Sequence, residues 1–389
     1  MVKFSIEKKN LETATGLLNV VANLKSVGAT PSENSGICLT PTTLILSNMN
    51  ESNGVFIENI PFTVLDGSAS THLEECYMVN TKKLDSMVKG SGKDVIITIL
   101  EDKIVIGEGK RIFELSMYKT ARKTAPETQQ LGHSVPLDKV LLNMTYTDAI
   151  TQNISNRGDL AGTLFTEGGM LASDKISALY IKDSFMFNNE PHQDMVLTTD
   201  LFAACASKIK QATAIPAVTV DGTRFVLLFD NIMLCKSIRT DVFPKDGIKR
   251  SVTRSQEAAE GKVPNVSAKI SVSDFSNKLK EMRSIVEAED YVIEYQTSGQ
   301  VLIKSANASQ GTGGEELVDA EVVFNGIAAS SMSAKFSFLH LDLISRLFSD
   351  KETILLISKI ENVSKKPVLG NMAILDADRC YVFLPKSSS

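Results

Sequence analysis

Apolar positions along this chain follow two periods, one near 3.6 residues and one of two, and the periods alternate in the same order three times over. Leu11, Ala14, Leu17, Leu18, Val21 and Leu24 recur at helical spacing after a short opening strand, with Glu12, Asn19 and Asn23 on the other side. Asn10 stands where an N-cap is wanted. Val140, Leu141 and Met144 repeat the pattern after Pro136, which suits a first helical turn. Phe275, Leu279, Met282 and Val286 repeat it again, with Ser273 as the expected cap. A strand–turn–strand follows each helix, over residues 36–48, 162–174 and 291–307, and then a further strand near 55–60, 177–182 and 320–324.

A second helix is then expected in each unit. Thr81 leads into Leu84, Met87 and Val88; Thr199 into Phe202, Ala203, Ala206 and Ile209; His340 into Leu343, Ile344, Leu347 and Phe348. A hairpin closes each unit, pairing 95–100 with 104–106, 225–229 with 232–236, and 354–358 with 373–376. The stretches 119–132 and 246–264 show no apolar period and read as linkers. The pattern predicts an α+β protein of three tandem domains, 1–125, 133–245 and 264–386, each with two helices packed on antiparallel sheets.

Charge sharpens this picture. The six expected helices carry eleven Lys and Arg against eight Asp and Glu, so the acidic excess of the whole chain, −5, lies elsewhere. Lys82 and Lys89, with Lys93 just beyond, fall opposite Leu84 and Val88, and Lys280 and Arg283 lie away from the Phe275–Leu279–Met282 stripe. Helices laid on one side of the sheets would present a basic surface able to follow a phosphate backbone without reading bases.

Catalytic and metal motifs are missing. Gly90-Ser-Gly-Lys93 has Met87 and Asp94 where a phosphate-binding loop needs Gly and Ser or Thr. Gly311-Thr-Gly-Gly314 reads as a flexible loop, and Glu74-Glu75 and Glu315-Glu316 as solvated pairs. The four His are not spaced as ligands, and no cofactor or metal is expected. Five Cys without a C-x-x-C pair imply free thiols in a reducing cytoplasm. No apolar run is long enough to span a bilayer.

Several local runs, in order along the chain, resemble the bacterial DNA polymerase processivity clamp, the beta sliding clamp. They are the opening M-V-K-F-S-I-E-K-K-N-L, N-I-S-N-R-G-D-L-A-G-T-L-F from Asn153, A-S-D-K-I-S-A-L from Ala172, D-V-F-P-K from Asp241 and Y-V-F-L-P-K from Tyr381. The resemblance implies a non-catalytic ring, a dimer of three-domain chains, that slides on double-stranded DNA without sequence preference. An ATP-driven loader opens it, and the polymerase is tethered to it through short peptide motifs. It also implies a peptide cleft built from Leu160, Ser173, Lys175, Ile176, Ala178, Phe243, Pro244, Val382, Leu384 and Pro385. Lys25 and Arg157 take positions that approach DNA in the family, and Lys82, Lys89, Lys208, Lys280 and Arg283 join them from the helix-face reading. Ile112 or Phe113 against Met282 or Ile285 would centre the ring contact; the same four residues also suit ordinary cores. Lys175-Ile176-Ser177 and Lys386 depart from the family pattern and imply a divergent clamp, of bacterial or bacteriophage origin. A scaffold of the same fold that binds peptides without encircling DNA is the alternative.

Overall fold

The computed structural model describes residues 1–24, 32–73, 75–122, 124–152, 162–166, 168–174, 176–182, 194–209, 213–239, 243–307, 311–328, 330–363 and 366–386. The chain forms two compact units, Met1–Thr145 with Phe185–Thr240, and Tyr146–Ser184 with Asp241–Ser389.

In the first unit, strand Val2–Glu7 runs directly into helix α1 (Lys8–Asn23). Leu11, Ala14, Leu17, Leu18 and Val21 are buried, as their spacing predicts. Asn10 is not the cap; the helix begins three residues earlier, with Glu7 at the N-cap and no side-chain cap bond. The cause is a neighbour. The Lys8 N–H donates to the Lys93 carbonyl at 2.9 Å, which satisfies one of the open amides of the first turn. Helix α2 (Thr81–Gly90) is capped by Asn80, whose side chain accepts from the Lys83 N–H at 3.1 Å. Asp85 is buried between α1 and α2, where Thr15, Asn19 and Lys89 donate to its carboxylate at 3.1, 3.0 and 2.6 Å. Helix α4 (Asp200–Ala206) also lies in this unit, whereas α3 (Leu137–Thr151) belongs to it up to Thr145 and from Tyr146 to the second unit.

A 14-stranded antiparallel sheet carries α1 and α2, and its middle is a seam between distant segments. Strand Ile232–Ser237 pairs with Asn53–Pro61, Ile232 opposite Ile57 and Lys236 opposite Asn53. The buried Lys236 ammonium sits 2.6 Å from Asp200 and donates to Asn53 at 2.6 Å.

The second unit repeats the logic. Its sheet runs in the order Thr163–Thr166, Gly169–Ser173, Ser177–Lys182, Arg379–Phe383, Lys366–Leu375, Thr353–Val363, Asn265–Ser271, Thr312–Asn325, Gln300–Asn307, Asp290–Tyr295, Met332–Ser337. Its seam sets Ser177 opposite Phe383 and Ile181 opposite Arg379. One core contains Phe275, Leu279, Tyr291, Tyr295, Phe336 and Tyr381.

Four expectations fail here. Residues 246–264 are not a plain linker, since they contain helix α5 (Lys245–Ala259), with Ile248, Val252, Ser255 and Ala258 buried. Helix α6 (Val272–Val286) is capped by Ser271, which accepts from Asp274 N–H at 3.5 Å; Ser273 lies inside the helix and contacts Ser271 at 2.9 Å. Thr312, Gly313 and Gly314 are strand rather than loop, because they pair with Asn307, Ala306 and Ser305. The expected third-unit second helix is split into α7 (Phe338–Asp342) and α8 (Ile344–Leu347).

Phe275 is fully buried in the second unit's core. Phe275→Ala is expected to cost about 3–5 kcal/mol, read as a lower urea midpoint at an unchanged slope.

Candidate functional site

Helix ends build a basic groove in the first unit. Lys8 and Lys9 open α1, Lys89 and Lys93 flank the end of α2, and Lys208 follows α4; all five line one groove of about 620 Å³ with Glu7 and Glu12. The earlier start of α1 is what brings in Lys8 and Lys9. The Lys8 ammonium donates to the carbonyls of Lys89 at 2.7 Å and Ser91 at 3.1 Å, a favourable place for a cation at the negative end of α2. Of the expected phosphate-facing residues, the structure thus gathers Lys89 and Lys208. Lys82 and Lys280 are exposed elsewhere on α2 and α6. Arg283 is a correction: it donates to the Ala288 carbonyl and stacks 4.8 Å from the Phe338 ring centroid, so it ties down the end of α6. Lys25 and Arg157 lie outside the described residues.

In the second unit the seam brings together five of the ten expected peptide-cleft residues. Ser173, Ile176 and Ala178 meet Val382 and Leu384 through the pairing of Ala178 with Val382 and a 2.9 Å bond from Leu384 N–H to the Ile176 carbonyl. Asp174, which sequence reasoning passed over, shapes this corner. Its carboxylate accepts from Ile176 N–H at 3.0 Å and from Ser177 N–H, closing the turn between two strands. Its other oxygen meets buried His340 Nε2 at 3.2 Å, and the Tyr381 hydroxyl donates to the His340 carbonyl at 3.3 Å. Burial opposes the charge on Asp174, but the bonds from His340 and Ser177 outweigh it and hold the carboxyl below its ordinary value. Leu160 and Lys175 lie outside the described residues.

The apolar floor of this corner is covered. Val382 is 3 % exposed, and Ala178 and Phe243 are also buried, whereas Ile176 at 44 % and Leu384 at 42 % present open apolar surface. Pro244 is exposed and Pro385 half-buried. The cover is α5, which packs across strands Gly169–Ser173, Ser177–Lys182, Arg379–Phe383 and Thr353–Val363. Ile248 and Val252 are its two large buried side chains, each contributing roughly 1.5–3 kcal/mol.

The expected ring-contact residues divide. Ile285 is 68 % exposed and Ile112 is exposed, with Phe113 half-buried. Met282 is 2 % exposed and belongs to the second unit's core, because the α6 stripe that turns inward at Phe275 and Leu279 carries it inward too. Two strand edges accompany the exposed residues. Arg111–Ser116 pairs with Lys103–Glu108 alone, and Thr312–Asp319 with Gln300–Asn307 alone, among the described residues. Leu317 and Val323, both exposed on the second of these strands, were not anticipated.

No group of three metal-capable His, Cys, Asp or Glu occurs among the described residues. No described helix is long and apolar enough to cross a membrane. Asp174→Asn is expected to lower stability at neutral pH by about 1–3 kcal/mol, through loss of the charged partner of His340. A depressed folded-state pKa stabilises above the ordinary carboxylate range and is lost as pH falls through the folded value. The gap between wild type and variant should therefore close below about pH 4 in thermal melts; a gap constant with pH would refute the assignment.

No protein-family model matches the chain, and no curated protein does. Solved structures do match over its whole length. The DNA polymerase III beta subunit from Thermotoga maritima is 13 % identical, with full coverage of both chains and a TM-score of 0.74. A DNA polymerase sliding clamp from Pseudomonas aeruginosa is 14 % identical, with full coverage of both and a TM-score of 0.75. The Helicobacter pylori beta clamp bound to a DNA ligase peptide is 13 % identical, covering 99 % of this chain and 100 % of its own, with a TM-score of 0.72. The chain has the α+β fold of the bacterial DNA polymerase sliding clamp from end to end.

Proposed function

We propose that this protein is a DNA sliding clamp: a non-enzymatic ring that encircles duplex DNA and tethers a replicative polymerase. The observation that carries the reading is the full-length likeness to DNA polymerase III beta subunits. The basic groove at the ends of α1, α2 and α4 supports it, since five lysines in one groove suit sequence-independent phosphate contact. On this reading the chain holds three tandem domains with bounds near 1–125, 133–245 and 264–386. A loader and the polymerase dock as short peptides at the Ile176–Leu384 corner, as the Helicobacter pylori clamp holds a ligase peptide.

Ring closure follows from the two open strand edges. Arg111–Ser116 of one copy pairs with Thr312–Asp319 of a second, and the exchange made twice closes a dimer. Lys110 and Arg111 on the first edge complement Glu315, Glu316 and Asp319 on the second, with Ile112, Leu317 and Ile285 as the apolar part. An open edge invites such pairing, and complementary charge selects its partner.

Retention on nicked circular DNA, with the matching loader and ATP, tests encirclement. After a high-salt wash, the protein should stay on circles and leave molecules cut to linear form. Equal release from both would favour a peptide-binding scaffold that does not surround DNA. Replacing Lys9, Lys93 and Lys208 by Ala should flatten the salt dependence of DNA association by up to about one unit of slope per lysine. Ile112→Asp should shift the protein towards monomer in sedimentation, with the melting temperature of the monomer kept.

A further inference from the structure

We propose that α5 is a displaceable cover, held in place until a short extended peptide with aliphatic or aromatic anchors takes over the sheet face beneath it. The inference rests on the reading of the Ile176–Leu384 corner as a peptide-docking site, and it assigns that site a regulator within the chain.

The two faces of the second unit's sheet differ. Tyr381, Phe383, Leu179 and Ile374 point into the core shared with α6, α7 and α8. Alternation along the strands sends Cys380, Val382, Ala178 and Ala373 to the opposite face. Those four are buried nonetheless, and α5 is the helix that packs across their strands from outside that core. The strip they form is apolar and made of small side chains, which leaves room for larger anchors once the helix departs. It continues into Ile176 and Leu384, which are open to solvent already.

Helix α5 is built to leave. Its buried stripe has two large side chains, Ile248 and Val252, followed by Ser255 and Ala258. Pro244 at its N-cap supplies no side-chain bond, and Gly247 weakens its first turn. At its far end Asn265 donates to the carbonyls of Ala258 at 2.8 Å and Val263 at 2.9 Å. Its outer side carries Lys249, Arg250 and Arg254. The helix can therefore swing from its C-terminal end while the core beneath stays packed, a local opening of the kind that low-stability segments undergo.

Cys380 reports on this motion. Burial pushes its thiol up to about 12, and the same cause holds Cys205 at about 12 and Cys235 at about 11 in the first unit. Iodoacetamide reacts with thiolate, so each cysteine is modified only when its cover opens. Under native conditions, with modification followed by mass spectrometry, Cys380 should react at least about tenfold faster than Cys205 and Cys235. Val252→Ala should raise the Cys380 rate a further fivefold or so and leave the other two unchanged. Gly247→Ala, where an added methyl meets nothing within 4 Å, should slow Cys380 about two- to fivefold by firming the helix. Modification of all three cysteines at one common rate, unmoved by either variant, would overturn the proposal. Whether a peptide docks on the corner is read separately, by crosslinking the ligase peptide to Leu384→Cys. Failure there would count against the docking site and leave the opening rates of α5 as they stand.

Discussion

Antiparallel pairing across two seams is the constraint from which the rest of this structure follows. At one seam Lys236 and Asn53 face each other; at the other, Ala178 and Val382 do. Both seams are buried, so their backbone N–H and C=O groups must find partners in the neighbouring strand or go without. That requirement holds together segments far apart in sequence and turns separate strand groups into continuous sheets. Helices then pack on the sheet faces, and two stretches of strand edge, Arg111–Ser116 and Thr312–Asp319, keep one side unpaired among the described residues. The buried Lys236 ammonium is part of this economy: it is tied to both Asp200 and Asn53, so the charge at the seam is matched where it sits.

Helix ends set the electrostatics. Lys8 lies against the last carbonyls of α2, and Lys89 answers the buried Asp85. Each of these contacts has a local structural reason, and together they place ammonium groups along one groove with Lys9, Lys93 and Lys208. An acidic chain acquires a basic surface in this way, because charge is sorted by face and the net value of −5 averages over all of them. Arg283 shows the opposite outcome, a cation consumed in closing its own helix.

The corner at Asp174 combines a rigid support with a movable cover. Asp174, His340 and Tyr381 are buried and bonded in series, which fixes the turn that presents Ile176 beside Leu384. Helix α5 meets the same sheet through few large side chains. A firm floor beneath a weakly held lid is an arrangement in which affinity for a peptide is set by the cost of opening as much as by the contacts made.

Much of this was legible in the residues alone. The stripes of α1 and α6, the hairpins and the strand at Ser177–Lys182 follow from period and turn chemistry, which are properties of neighbouring residues. Helix α5 escaped because its stripe is thin, with Ser255 and Ala258 standing where larger apolar groups would announce a helix. Caps escaped for a different reason: α1 starts early, where the Lys8 N–H meets the Lys93 carbonyl, which leaves Asn10 inside the helix, and Ser271, two residues before Ser273, caps α6. Met282 and Ile285 share a helix three residues apart, and only packing decided that one is core and the other surface. The sequence by itself determined the elements, their order and the clamp-like pattern they make, since local sterics and alternation suffice for those. Tertiary structure alone decided which lysines share a groove, which strand edges stay open and what covers the corner at Val382, because those depend on pairing between segments that no local period encodes.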